Sequence, residues 1–435
     1  MNGTHPAPPA LNWSGIPQLG AEFDLRPPPA SSVPLAPVKR VALFAEAFLP
    51  KFDGVSKTAL LTLRHLQLTG REVLVFAPDT APRAIGPTQI IPLPSLGMPL
   101  YPETRIALPT VLVRHYLDDF RPDLVQLFSP AFLSLSGVLA ARAMHIPIVA
   151  NYQTDLPGYT EQYGYPLLNT PIREGLRLLH NLCHLTLAPS THTIRELRSW
   201  GFHRLRYWGR GVDSQRFNPR HRSAAWRRRL LAGRPAEDLL CLYVGRLARE
   251  KRLDLLRGVA DLPGVALTIV GDGALRAEAE ALFAGTRTHF TGYLFGEDLA
   301  QAYASADVFV FTGTNETFGQ VVLEAMASGL PVVVPDSGGV TDMAIPGQTG
   351  LRCQPTPDSF AQAVLLLRDN PALRRRLATG ARRYAESRPW EAMMALLERH
   401  YSRAVRLNMR FNRLYNLGQA PPGGWSGWGN NTMTR

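Results

Sequence analysis

The sequence has few lysines, because arginine carries almost all of its basic charge. Only four of its 47 basic residues are lysines, and the formal net charge is +12. They are Lys39, Lys51, Lys57 and Lys251. Such a charge predicts anionic partners, namely phosphates, a membrane surface or nucleic acid. Because the chain lacks a nucleic-acid recognition motif and interleaved aromatic and basic residues, we predict no nucleic-acid partner.

Cysteines are also few, and long apolar runs and a secretory leader pattern are absent. The three cysteines, Cys183, Cys241 and Cys353, lack the spacing of metal ligands. There is no run of 18 or more apolar residues, so no membrane span is predicted. Residues 1–20 do not have the charged and apolar regions of a signal peptide. We therefore predict a cytoplasmic protein. The basic charge leaves open a peripheral position on the inner face of the cytoplasmic membrane.

Strand-like and helical segments alternate along the chain in two series. The predicted strands are Arg40–Ala45, Glu72–Ala77, Leu124–Phe128, Ile146–Asn151 and His184–Ala188, then Leu239–Val244, Val265–Val270, His289–Thr291, Asp307–Phe311 and Pro331–Pro335. Two such series predict an α/β fold with two Rossmann-like, doubly wound domains, at residues 39–208 and 209–388. Residues 389–416 are expected to form a helix that crosses back to the first domain. The proline-rich residues 1–38 and residues 417–435 are predicted to be disordered or flexible tails.

The segment Gly313–Met343 places two acidic residues around the start of a predicted helix. Thr317 and Gln320 fit a capping box, which predicts that this helix begins at Thr317. Glu316 then lies in the preceding loop and Glu324 two turns into the helix, about 12 Å away along its axis. This spacing suits two carboxylates that hold hydroxyls at opposite ends of one ligand. The alternative is an ordinary loop acid and a solvated helix acid.

A second group of polar residues follows the strand that ends near Gly245. Arg246 and Lys251 come directly after that strand, where two cations suit a diphosphate. Alone, such a pair is more often a solvated face. Further along, Gly271 ends the next strand in a turn that is equally consistent with an ordinary strand end.

The first domain offers two further loops. Gly54 precedes a helix, and its lack of a side chain would let the backbone approach a phosphate, although a simple turn explains it as well. The loop does not have the GxGxxG pattern, which argues against a dinucleotide cofactor. Gln153, Thr154 and Asp155 follow another strand and are polar enough to line a ligand site; Asp155 is otherwise an ordinary loop acid.

The two acids and the two cations together resemble the motifs of retaining, GT-B-fold, nucleotide-sugar glycosyltransferases of the "group 1" family. The resemblance implies that Glu316 contacts the donor sugar and Glu324 the ribose. Arg246 and Lys251 would neutralise the leaving diphosphate. It also implies donor-binding roles for Thr317, Phe318, Gly319, Gly245, Gly271, Tyr293, Leu294 and Gly54, and sugar or acceptor contacts for Gln153, Thr154 and Asp155. Relatives often have histidine where Gln153 stands, so this chain departs from the pattern there.

The implied activity is retaining transfer of a hexose from a nucleotide-diphosphate sugar, GDP-mannose or a UDP-hexose. The first-domain pattern is most similar to relatives that act on membrane glycolipids, including mannosyl- and sulfoquinovosyl-type transferases. A lipid or cell-envelope glycan acceptor is therefore expected. The chain has no Asp-x-Asp triplet, and neither a metal nor another cofactor is expected. A sugar-nucleotide epimerase of the same architecture is the alternative, since it would need no acceptor. A phosphorylase would need a pyridoxal-binding lysine, and none of the lysines has a suitable context.

Overall fold

A computed structural model describes residues 35–50, 53–98, 101–107 and 110–418. Most of the two predicted tails, residues 1–34 and 419–435, and also Lys51, lie outside these residues. Residues 417 and 418, which the sequence assigned to the second tail, instead end the last helix. Residues 35–38, which the sequence assigned to the first tail, are instead packed: Ala36 and Val38 are buried. Among the described helices, none is both long and apolar enough to cross a bilayer.

The first domain is built on an eight-stranded sheet with a separate two-stranded hairpin. Its strands are β1 Arg40–Ala45, β2 Glu72–Pro78, β3 Ala84–Ile85, β4 Thr88–Leu93, β7 Leu124–Phe128, β8 Ile148–Asn151, β9 Leu185–Ala188 and β10 Leu205–Tyr207, with hairpin strands β5 Ser95–Met98 and β6 Tyr101–Ala107. The helices are α1 Gly54–Leu68, α2 Leu112–Phe120, α3 Phe132–Ala143, α4 Leu156–Gln162, α5 Asn169–Leu182 and α6 Thr191–Ser199. The strand order is β10-β9-β8-β7-β1-β2-β4-β3, parallel except for β3. The order steps outward on both sides of β1, as in a doubly wound sheet.

The second domain contains a six-stranded, wholly parallel sheet. Its strands are β11 Leu239–Val244, β12 Val265–Val270, β13 His289–Gly292, β14 Val308–Val310, β15 Val332–Pro335 and β16 Gly350–Cys353, in the order β13-β12-β11-β14-β15-β16. The helices are α7 Ala224–Leu231, α8 Arg257–Ala260, α9 Arg276–Leu282, α10 Gly296–Ser305, α11 Gln320–Ala327, α12 Pro357–Asp369 and α13 Pro371–Glu386. The central strands β11, β12, β14 and β15 are buried along their whole length, as expected for a parallel sheet with helices on both faces. The fold class predicted from the sequence, two Rossmann-like domains, is confirmed.

The last helix, α14 Trp390–Gly418, packs against the first domain although it follows the second along the chain. Its apolar side chains join the core beneath β1 and α1. Glu398 anchors it: the carboxylate lies 2.8 Å from His65 Nε2 and 2.7 Å from Arg71 Nη2, and accepts a hydrogen bond from Ala36 N. These contacts explain why residues 35–38 are ordered, since Ala36 satisfies a buried carboxylate.

Two connections therefore join the domains, one after Tyr207 and one before Trp390. They lie against each other: Val212 N donates to Arg388 O at 2.9 Å, and Arg388 Nη1 donates to the Tyr207 hydroxyl at 2.5 Å. Gly211 allows this approach, because a Cβ there would lie 2.6 Å from Trp390 N.

Candidate active site

A cavity of about 620 Å³ lies where the carboxyl ends of the second-domain strands face the first domain. Gly245 and Arg246 after β11, Gly271 after β12, and Leu294 after β13 line it. Glu324 on α11 closes one side, and Lys57 on α1 reaches it from the first domain. In open α/β sheets this edge is where ligands bind, so the strand order itself places the cavity.

The helix of the paired acids begins later than the sequence predicts. It starts at Gln320, with Gly319 as the preceding residue at φ 87°, so the predicted start at Thr317 and its capping box are wrong. A side chain at Gly319 would place Cβ 2.5 Å from Val340 Cγ1, and only glycine tolerates both this contact and the positive φ. Glu324 is consequently one turn into the helix, not two. Thr317 Oγ1 instead donates to Gln153 O at 2.8 Å, which joins the two domains.

Each of the two acids pairs with a lysine in the cleft. Glu316 contacts Lys251, and their side chains are 20% and 16% exposed. Glu324 Oε1 lies 3.3 Å from Lys57 Nζ, and this pair is more deeply buried. The side chains of both pairs are thus largely shielded from water. Partly buried charges of this kind interact more strongly with a polar ligand than they would in bulk water.

Arg246 is held at the cavity wall by a buried carboxylate. Its Nη2 lies 2.6 Å from Glu250 Oε1, and the Glu250 side chain is 2% exposed. The nearby glycines explain how the loops come so close, because a Cβ on Gly271 would lie 1.9 Å from Gly245 O. This wall therefore presents backbone, not side chains, beside the guanidinium.

Two exposed aromatic rings stand at the mouth of the cavity. Tyr293 and Phe295 stack with ring centroids 5.8 Å apart, and the Tyr293 hydroxyl donates to Asp272 O at 2.8 Å. By contrast, the Phe318 side chain is buried in the hydrophobic core of the second domain. Only the backbone of Phe318 can therefore face the cleft. Tyr293 and Leu294 thus lie where the sequence placed them, beside the same cavity as Gly271.

The predicted first-domain residues lie across the cleft from the Glu316 loop. Gln153 is buried, and within the described chain its Oε1 has no hydrogen-bond partner. Thr154 Oγ1 is 3.2 Å from Ser129 Oγ. Asp155 begins α4 and accepts from Gly158 N at 3.1 Å. Burial raises the pKa of the Asp155 carboxyl, partly offset by that hydrogen bond. Asp155 therefore caps α4, and it is not among the residues that line the cavity of about 620 Å³.

Arg210 and Lys57 are cleft residues that sequence reasoning did not select. Arg210 is 6% exposed and donates to Gly54 O at the start of α1. Burial lowers the pKa of its guanidinium to about 10, although the charges of Asp53 and Glu316 act in the opposite direction. Nothing in the sequence pointed to Arg210 as a site residue, because Arg210 lies in a connection between the domains. The scarcity of lysine was the only signal for Lys57.

Comparison with known proteins agrees with this geometry. Residues 229–384 match the family "Glycosyl transferases group 1" and residues 52–216 match "Glycosyltransferase Family 4". A GDP-mannose-dependent alpha-mannosyltransferase of Mycobacterium tuberculosis (strain CDC 1551 / Oshkosh) is 43% identical over 380 residues, covering 84% of this chain and 97% of the relative. The chain belongs to the group 1 glycosyltransferases. This membership favours glycosyl transfer from a nucleotide sugar over the epimerase alternative.

Other group 1 glycosyltransferases and solved structures extend the comparison. A sulfoquinovosyl transferase of Arabidopsis thaliana is 35% identical over 387 residues, covering 85% of this chain and 75% of the relative. Sucrose-phosphate synthase from Thermosynechococcus elongatus superposes with a TM-score of 0.66 at 22% identity, covering 87% of this chain and all of that one. WaaG, a glycosyltransferase involved in lipopolysaccharide biosynthesis, gives 0.60 at 17% identity, covering 82% and 98%. These structures share the GT-B fold.

Proposed function

We propose that this group 1 glycosyltransferase transfers mannose from GDP-mannose to a lipid-linked acceptor, with retention at the anomeric carbon. The observation that carries the proposal is a cavity between the domains that Arg246 and Glu324 line. The pair of Glu316 and Lys251 lies close by, since Lys251 is in the same turn as the Glu250 that holds Arg246. Relatives covering most of the chain and named as GDP-mannose-dependent alpha-mannosyltransferases support the donor. A UDP-hexose, the other donor expected from the sequence, is the second candidate.

In this proposal, each residue binds a different part of the donor. Glu324 holds the ribose hydroxyls, and Glu316 orients a hydroxyl of the sugar. Arg246, Lys251 and the amides at the start of α11 stabilise the negative charge that develops on the leaving diphosphate. Gln153 Oε1, which has no hydrogen-bond partner among the described residues, accepts a hydrogen bond from the bound sugar in this proposal.

The proton of the acceptor hydroxyl needs a base, and Gln153 cannot serve because an amide does not take up a proton. We therefore propose that this proton is transferred to the departing phosphate oxygen. The bond from the anomeric carbon to that oxygen breaks while the acceptor oxygen bonds on the same face, which gives retention. Because two arginines and a lysine surround this region, we propose that no divalent cation is required.

The donor can be tested with a thermal-shift panel of GDP-, UDP- and ADP-sugars, followed by transfer to a lipid extract in the presence of EDTA. GDP-mannose is expected to raise the melting temperature most, and the product is expected to carry an α-linked mannose by one-bond C1–H1 coupling in NMR. A larger rise in melting temperature with a UDP-sugar would mean that the donor is that UDP-sugar and not GDP-mannose. A β-linked product would contradict retention, and loss of transfer in EDTA would contradict metal independence.

An exposed apolar surface on the first domain supports a lipid acceptor. Leu135 and Leu139 on α3 are 40% and 56% exposed, and Leu178 and Leu182 on the adjoining α5 are 60% and 38% exposed. We call these four the leucine surface. Arg142 lies at the end of α3, beside it. Apolar side chains next to a cation suit the boundary between headgroups and acyl chains of an anionic membrane.

We expect the wild-type protein to sediment with vesicles of phosphatidylglycerol and phosphatidylcholine. The double variant Leu139→Glu/Leu178→Glu should bind about tenfold more weakly or worse, because two apolar contacts are replaced by charges that the anionic surface repels. Leu366→Glu on α12, where Leu366 is 48% exposed, is the matched control. Absence of wild-type binding at low salt, or equal binding of all three proteins, would contradict the proposal that the leucine surface binds an anionic membrane.

A further inference from the structure

A tyrosine of the first domain contacts the buried carboxylate that holds Arg246. The Tyr163 hydroxyl donates to Glu250 Oε2 at 2.7 Å, while Arg246 Nη2 donates to Glu250 Oε1 at 2.6 Å. Both oxygens of one carboxylate are thus engaged, one by each domain. Hydrogen bonds to an ionised group are short and directional, so Tyr163 restricts the rotation of the carboxylate that orients the guanidinium.

Glu250 has little freedom to find other partners. Its side chain is 2% exposed, and it lies in a single 3-10 turn, Arg249–Lys251, directly before the second cation of the site. A second contact joins the same turn to the first domain, since Arg249 Nη1 donates to Gln162 O at 3.5 Å. A buried carboxylate that loses a donor pays a desolvation cost or rotates toward another donor. Loss of the tyrosine hydroxyl would therefore change how Glu250 orients the Arg246 guanidinium.

Tyr163 also lies at the far end of a short helix from the predicted sugar site. It follows α4, which begins after Asp155 and is seven residues, or about 10 Å, long. A single helix of this length moves as a rigid piece. The cleft residues Gln153 to Asp155 and the Arg246 carboxylate are therefore connected through α4 and the tyrosine hydroxyl.

We propose that Tyr163 is a positioning residue for the transfer reaction, which acts on Arg246 through Glu250. It aligns the guanidinium with the leaving diphosphate only when the two domains are together. The inference rests on the proposed function, because it takes Arg246 as the diphosphate ligand. Nothing in the sequence motifs points to Tyr163, since it lies 87 positions from its partner.

The test is a double-mutant cycle on transfer from the donor found in the sugar-nucleotide panel, with Tyr163→Phe, Arg246→Ala and the double variant of the full chain. Tyr163→Phe removes only the hydroxyl and is expected to lower kcat about tenfold, the effect of a hydrogen bond to a charged group. In the Arg246→Ala background the same change should alter kcat by less than about twofold, because effects transmitted through one residue are not additive. Tyr165→Phe, which changes a 43% exposed ring on the same segment, is the control and should match the wild type.

Two outcomes overturn the inference alone: a wild-type kcat for Tyr163→Phe while Arg246→Ala is impaired, or an equal loss in both backgrounds. The second would mean that the hydroxyl supports the fold or the domain contact without acting through Arg246. Full activity of Arg246→Ala would instead contradict the donor site itself, so failure of the two proposals is distinguishable. Thermal melting of each variant shows whether the rates refer to folded protein: the melting temperature is expected to fall where Glu250 loses a partner, but each variant should stay folded at the assay temperature.

Discussion

Lys251→Ala is expected to lower kcat for sugar transfer by about 10²–10³-fold, the usual effect of removing one preorganised group that stabilises transition-state charge. Lys251 pairs with Glu316, and its Nζ lies 5.8 Å from the centroid of the Phe311 ring, so its charge is shielded from water. The variant leaves Glu316 beside Arg210 alone. Since the charge on the diphosphate grows as the bond to the sugar breaks, kcat should fall more than donor affinity.

The measurement is steady-state transfer, with donor affinity determined separately by calorimetry. Arg252→Ala is the matched control, because it removes the neighbouring cation, which pairs with Asp254 outside the cavity. Its kcat should stay close to that of the wild type. If Lys251→Ala kept more than about a tenth of wild-type kcat, the role assigned to Lys251 would be wrong.

Glu398→Ala is expected to lower the free energy of unfolding by about 3–5 kcal/mol, the usual cost of removing one partner from a buried ion pair. The side chains of Arg71 and Glu398 are 3% and 2% exposed, so the variant leaves a guanidinium buried without its carboxylate. His65 and Ala36 N lose the same partner. The variant would thus remove the buried contacts through which Glu398 holds α14 against the first domain.

The pH dependence provides a second check on the same residue. Burial alone would raise the pKa of Glu398, but hydrogen bonds from His65 and Arg71 outweigh it and hold the pKa below its ordinary value of 4.5. A carboxyl with a lowered pKa stabilises the fold above its unfolded pKa and loses that contribution as pH falls through the folded pKa. The stability difference between wild type and variant should therefore be constant near neutral pH and shrink below about pH 4.5.

Urea unfolding followed by circular dichroism measures both effects. Arg399→Ala, which changes the exposed neighbour on the same helix, should alter stability by less than about 1 kcal/mol. A loss of that small size for Glu398→Ala, or a difference that does not change with pH, would show that the anchor contributes little.

The sequence predicted the central strands well, because strands buried on both faces must be apolar along their whole length. β1, β7, β11 and β12 begin and end where the sequence placed them. The strands that the sequence missed include the short, outer strands β3, β10 and β16. Their composition is less distinctive, since a strand with only one neighbour needs less apolar surface.

The site was predictable as far as local patterns define it. Glu316, Glu324, Arg246 and Lys251 lie in segments whose strand and loop signals are strong. Arg246 and Glu324 line the cavity between the domains, and Glu316 pairs with Lys251 in the turn next to Glu250, while the roles assigned to all four stay predictions. The helix start at Thr317 was not predictable correctly, because the left-handed Gly319 depends on Val340, which lies in a later turn. Lys57 and Arg210 reach the site only through contacts between the domains. No local pattern encodes a pairing such as Lys57 with Glu324, 267 positions apart.

The two connections between the domains run side by side and are hydrogen-bonded to each other through Val212, Arg388 and Tyr207. A single flexible linker would allow one domain to twist and slide over the other. A double connection resists both motions and leaves bending about one line as the easy movement. We therefore expect the cleft to open and close along a fixed path that returns Lys57 and Tyr163 to the same partners.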